Sequence, residues 1–210
     1  MRKITKKEGF EPPELTNWKH NNPNGKYKND SDTFHDVRKA IRNATRKEQF
    51  GLCAYCCQEI DDANSMNEHV EAQSLAPNRT LDFSNIVASC TTQKRCDKAH
   101  GSQPLPLTPL MDECETELKF YFSGKVEGLT DRARKSIDVL GLNSNAIREE
   151  RKQMIENLLF TNTPNDVNSS DNDLIAALLN PTNGQLQAYS PVLVNVLRQK
   201  RCVNFISEEV

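Results

Sequence analysis

Two pairs of cysteines constrain this chain more than any other feature. Cys53 and Cys56 stand in "CAYC", and Cys90 and Cys96 follow with five residues between them. Four thiolates on two short loops suit a tetrahedral structural zinc, the closed type of site. Cys57 competes for the first loop, but an adjacent cysteine normally points away from its neighbour's metal. The other common use of free cysteine is as a small core residue. Cys114 and Cys202 lack a paired neighbour and read as packing residues. The total of seven is odd, and in a reducing compartment the pairs read as metal ligands before they read as disulfides.

Composition narrows the setting. The chain has 210 residues, is 36% hydrophobic and has a mean hydropathy of −0.70. That is enough for one sizeable domain with appended elements. No apolar run approaches the ~18 residues of a membrane span, and "MRKITKKEGFEPPEL" has no apolar signal core. The expectation is a cytoplasmic protein without a membrane partner. Net charge is −2, yet residues 1–50 hold 12 Lys/Arg against 7 Asp/Glu, so they carry +5 and the remainder −7. A basic front on an acidic body is compatible with one face that meets phosphates. Neither a phosphate-binding P-loop nor a G-x-G-x-x-G turn occurs, so any nucleotide chemistry belongs to another chain.

Residues 1–33, with Pro12, Pro13 and Pro23, read as an extended basic arm. Ser31, Asp32 or Thr33 then caps a helix whose inward stripe is Phe34, Val37, Ile41 and Ala44. Arg38, Arg42 and Arg46 line another face of it, as a solvated edge or as phosphate contacts. Residues 34–102 form the core unit, with "GLCAYCCQEI" as a knuckle between two strands. Residues 103–160 comprise a Pro-rich connector, a β-hairpin at "ELKFYFSGKVEGL", and helices at "LTDRARKSIDVLGLNS" and "SNAIREERKQMIENLLF". Residues 161–210 are a linker followed by a pair of C-terminal helices. The fold class expected is α+β, mainly helical around a small zinc-braced core.

A structural zinc does no chemistry. Between and just after the cysteine pairs the chain offers Glu68-His69, Asn85, Asp97 and His100. Asp97 and His100 are spaced i, i+3, so a helix would present both on one face. Facing Glu68, they would make a hard, open site for a divalent cation, leaving His69 as a general base. Lys94, Arg95 and Lys98 flank this set as a solvated charge run or as substrate phosphate contacts. His20 and His35 stand apart from it.

"CAYC", "NEHV", "DFSNIVASC" and "RCDKAH" together resemble the HNH, or ββα-metal, nucleases. The resemblance implies an endonuclease that hydrolyses phosphodiesters of DNA or RNA with Mg²⁺ or another divalent ion, braced by structural Zn²⁺. It assigns His69 as base, Glu68 as catalytic metal ligand, and Asn85 as the residue that orients hairpin and base. It makes Asp97 the second ligand, with His100 as a third ligand or a phosphate contact, and Cys53, Cys56, Cys90 and Cys96 as the zinc set. "NEHV" falls on the second strand of the hairpin in this reading. Two positions depart from the family: Asp97 stands where His or Asn is usual, and Glu68 where Asp is commoner. With "RKITK", "PPEL", the later hairpin and "SIDVLGLN", the chain is similar to the PtuB-type proteins of Septu and retron-associated anti-phage systems. That implies an ABC/SMC-like ATPase partner of the PtuA type, and in retron settings a reverse transcriptase with its msDNA.

Overall fold

A computed structural model describes residues 1–27, 32–161 and 171–207; Ser31, residues 162–170 of the expected linker and the side chain of Cys202 lie outside it. The element order is mixed. Helices α1 (Pro13–Asn21) and α2 (His35–Glu48) precede strands β1 (Ser65–His69) and β2 (Ile86–Cys90), and the short helix α3 (Asp97–His100) follows. Then come β3 (Leu118–Phe120), β4 (Val126–Gly128), α4 (Asp131–Val139), α5 (Asn145–Thr161), α6 (Asp171–Leu179) and α7 (Ser190–Ser207). Among the described residues these are seven helices and two separate two-stranded antiparallel sheets. None of the helices is long and apolar enough to cross a membrane.

The first sheet pairs Ser65 with Cys90, Glu68 with Val87 and His69 with Ile86. Every residue of β2 is buried, so this strand is the floor on which the rest is built. The knuckle before β1 is held by a single isolated bridge, Leu52 to Glu59, and not by a second pair of full strands. The Glu68-His69 strand is therefore the first strand of the hairpin, where the sequence reading placed it second. The knuckle is too short to contribute a strand of its own.

Two expectations for the front of the chain are corrected. Residues 13–21 are helical, because Pro12 and Pro13 suit a helix entrance as well as an extended segment. Met1 and Ile4 are core residues, and Ile4 N–H donates to the Pro109 carbonyl at 2.8 Å. The helix expected after residue 31 begins at His35, preceded by a 3₁₀ turn over Asp32–Phe34, and its N-cap position is Phe34, which makes no side-chain cap bond. Its inward stripe is as read: Phe34, Val37 and Ile41 are buried with Leu15, Phe83 and Ile86, and Ala44 packs against them. Burial of each large side chain in this cluster contributes about 1.5–3 kcal/mol, which fastens α1 and α2 to the first residue of β2.

A second, larger core joins the knuckle, β2, the later hairpin and the C-terminal helices. Thr130 caps α4 by accepting from Ala133 N–H, and Gly141 follows that helix at φ +60°. Cys114 is buried in this core, as a packing residue should be. Arg151 is also buried there; its Nη1 donates to the Gly124 and Leu142 carbonyls at 3.1 and 2.8 Å.

Candidate metal centre and active site

The knuckle, the end of β2 and the start of α3 bring four sulfurs together. Cys53, Cys56, Cys90 and Cys96 are buried, and their Sγ atoms lie within 4.8 Å of one another. Cys53 and Cys96 are 3.8 Å apart, and Cys56 and Cys90 3.9 Å. Both gaps are far beyond a disulfide bond of ~2.05 Å. They match the ~3.8 Å edge of a tetrahedron whose metal–sulfur bonds are ~2.3 Å. Cys90 N–H donates to Cys53 Sγ at 3.3 Å, a bond that supports a thiolate. The donor set and its spacing fit zinc, with these four residues as its holders. Cys57, at φ +67°, turns away into a small cluster with Leu52 and Leu186.

Cys96 is also the joint between this centre and the next residues. It has φ +56°, and its N–H donates to the Leu140 carbonyl at 2.9 Å. Asp97 N–H then donates to Ser89 Oγ at 3.2 Å, docking the start of α3 onto β2. A cleft of about 540 Å³ opens beside it, and Glu68, His69 and Asp97 all line it.

Glu68 is 5% exposed and sits among acids and donors. Tyr55 Oη donates to Glu68 Oε1 at 3.2 Å, and His100 Nδ1 is 2.5 Å from the same oxygen. Both bonds fall on Oε1, so Oε2 is the oxygen left to a ligand. Burial, and then the Asp97 carboxyl within hydrogen-bonding reach, push the Glu68 pKa up to about 10. Two converging buried carboxyls disfavour ionising together. A divalent cation between them removes that conflict, and hard oxygen donors suit one. Glu68 and Asp97 therefore fit a cation as a carboxylate pair.

His100 is placed differently from the expectation. It is fully buried, its Nε2–H donates to the Gln103 carbonyl at 2.8 Å, and its other nitrogen meets Glu68. It does not line the cleft. Among the described residues only the four cysteines bring three or more His, Cys, Asp or Glu ligand atoms within 4.8 Å of one another. The trio Glu68, Asp97 and His100 thus does not converge. Asp97, Gly101 and Ser102 border the cleft at both ends of α3, while the His100 side chain turns inward and supports Glu68 from behind.

His69 is 6% exposed, with Nε2 2.9 Å from the Thr80 carbonyl. A carbonyl only accepts, so Nε2 carries the proton and Nδ1 keeps its lone pair. Tyr27 stacks edge-on against the ring at 4.8 Å between centroids. Burial lowers the His69 pKa from its ordinary value, which keeps the ring neutral near pH 7.

Asn85 does not touch the cleft. Its Oδ1 accepts from Glu71 N–H at 2.9 Å and its Nδ2 donates to the Glu71 carbonyl at 3.0 Å. Its own carbonyl accepts from Val70 N–H at 2.9 Å. Both backbone groups of the residue two beyond His69 are thereby fixed to the start of β2. Asn85→Ala should cost about 1–3 kcal/mol of stability, read as a lower denaturation midpoint at unchanged slope. A midpoint equal to wild type would show that water replaces the amide fully.

The expected phosphate contacts are redistributed. Arg95 is 4% exposed; its Nη1 pairs with Glu150 at 2.8 Å and its Nη2 donates to Gln58 and Thr92. It ties the knuckle to α5 and does not line the cleft. Lys94 and Lys98 are exposed and do not line the cleft. Arg38, Arg42 and Tyr27 do line it; for the two arginines the sequence left phosphate contact open beside a solvated face, and it did not single out Tyr27. The i, i+4 arginines on α2 were the available signal.

No family model matches the chain. It is 28% identical over 141 residues to a Vibrio cholerae serotype O1 biovar El Tor protein named "Retron Vc95 putative HNH endonuclease", covering 60% of this chain and 69% of that protein.

Proposed function

We propose that this chain is an HNH-type, metal-dependent endonuclease that hydrolyses phosphodiester bonds of nucleic acid, with DNA as the favoured substrate. The observation that carries the reading is a neutral imidazole of fixed tautomer, His69, beside a converging carboxylate pair, Glu68 and Asp97, in one cleft. The order β1, β2, α3 with its cysteine centre supports a ββα-metal core, and so does the retron relative's name.

In this reading His69 accepts a proton at Nδ1 from a water aligned with the scissile phosphate, and Thr80 steadies the resulting imidazolium through Nε2. Glu68 and Asp97 would hold the cation, which supplies charge stabilisation for the phosphate and the leaving oxygen. Tyr55 and His100 fix the Glu68 carboxyl, and Asn85 fixes the strand that carries it. Phosphodiester chemistry is common to DNA and RNA, so an RNase effector acting on RNA such as tRNA is the variant of this reading that the assay below separates.

The motif resemblance and the retron relative's name support a wider setting for this reading. We place the protein as the nuclease effector of an anti-phage complex of Septu or retron type, in the cytoplasm, with an ABC/SMC-like ATPase gating access to the cleft. Reverse transcriptase and msDNA are the further partners in a retron. Co-purification with the neighbouring ATPase tests that assembly.

The activity test uses the full chain, alone and with that ATPase and ATP, on DNA and RNA pools with Mg²⁺ or EDTA. Cleavage is expected with Mg²⁺ and not with EDTA, and Glu68→Gln should lower it by about 10²-fold. Undiminished cleavage in EDTA or in Glu68→Gln removes the cation from the mechanism. Tight nucleic-acid binding with no cutting in any arm would make the chain a zinc-knuckle binding module.

A further inference from the structure

Beside the carboxylates, the cleft has a basic border. Arg38 and Arg42 project from α2, one helical turn apart, and border the same space as Glu68, His69 and Asp97. They are the lysine or arginine side chains of the cleft lining among the described residues. Arg46 continues the same line, but its Nη1 is paired with Asp62, outside the cleft. Arg42 has no acidic partner among the described residues, whereas Arg46, whose Nε is likewise buried without an acceptor, has one in Asp62.

The border is held in register with the chemistry. Asn67, the neighbour of Glu68 on β1, donates from Nδ2 to the Arg38 carbonyl at 2.9 Å and to Tyr27 Oη at 2.8 Å. The arginine backbone is thus tied to the strand that carries the candidate base and ligand. Charge makes the pairing necessary. Glu68 and Asp97, once ionised, carry two negative charges, and a divalent cation only cancels them. Among the described residues, the basic side chains that border this cleft and could meet a phosphodiester backbone are Arg38 and Arg42.

We infer that Arg38 and Arg42 form the substrate clamp of the cleft, gripping backbone phosphate next to the one that is cut, while Lys94, Arg95 and Lys98 lie off the cleft lining. This rests on the nuclease reading and extends it to how the substrate is seated. A clamp on a non-reacting phosphate binds ground state and transition state alike, so its loss should appear in KM more than in kcat.

The test measures binding apart from cutting. Full-length protein carrying His69→Ala is titrated, with Mg²⁺ present, against fluorescein-labelled DNA duplex, single-stranded DNA and RNA over a salt series. Adding Arg42→Gln should weaken binding about tenfold and flatten the slope of log K against log salt by about one. Arg42→Lys should recover most of the affinity, since it restores charge without the planar fork. Arg46→Gln should change neither quantity. Arg38→Gln gives a second reading if Arg42→Gln does not fold. The inference is overturned if Arg42→Gln or Arg38→Gln matches Arg46→Gln in affinity and salt slope. That result would leave the nuclease reading standing. Conversely, wild-type protein that binds through Arg42 but never cuts would sink the nuclease reading and keep the clamp.

Discussion

Replacing His69 with alanine is expected to lower the cleavage rate about 10²- to 10⁴-fold, the usual contribution of a positioned general base. The loss should fall on kcat, because the imidazole acts on water and not on substrate binding. Thermal stability should also fall, by about 1–3 kcal/mol, since the Nε2 bond to the Thr80 carbonyl and the edge-on packing against Tyr27 are both lost from a buried site. The larger lesion is chemical, and circular dichroism beside single-turnover kinetics separates the two. A folded His69→Ala protein that cuts within about threefold of wild type would mean that the proton goes elsewhere, and the assignment of the base would be wrong.

The second large effect concerns the sulfurs. Cys53→Ser, or Cys96→Ser, should abolish stoichiometric zinc and collapse the fold around the knuckle. Structural zinc contributes on the order of 10 kcal/mol or more in small domains, comparable with a whole domain's stability of ~5–15 kcal/mol. Serine also leaves three buried thiols crowded around a missing ligand. The expected outcome is a melting temperature lower by at least ~10–20 °C, or insoluble protein, with zinc lost in elemental analysis. The effect should reach the cleft, because Cys96 precedes Asp97 directly and its N–H holds to Leu140. A variant with wild-type melting and no zinc in either protein would show that the four thiols are packing residues after all.

How legible this was depends on sequence distance. The cysteine centre could be read because each pair lies within one short loop, and the fold brings both pairs to one point. The capped helix at residue 131 and the hairpin before it were equally local. The fate of Arg95 was not local. Nothing in "QKRCDK" distinguishes its three cations, and the inward one is chosen by Glu150, 55 positions later. The choice between Asp97 and His100 was blind for a related reason. Helical spacing says that two residues share a face, but not which of the two side chains the surrounding core will bury. Tyr27, Arg38 and Arg42 reach the site through packing of α1 and α2 against Phe83 and Ile86, a tertiary event without a motif. The N-terminal segment was misread because its prolines fit both a helix entrance and an extended strand.

The segment between β1 and β2 returns to the first strand twice, once through the Thr80 carbonyl on His69 and once through Asn85 on Glu71. It is therefore a measured tether and not a free connector. An insertion before Thr80 would detune the imidazole's tautomer, and one between Thr80 and Asn85 would release the strand end. Among related chains, drift in the length of this loop should accompany loss of cutting even where every ligand and the histidine are retained.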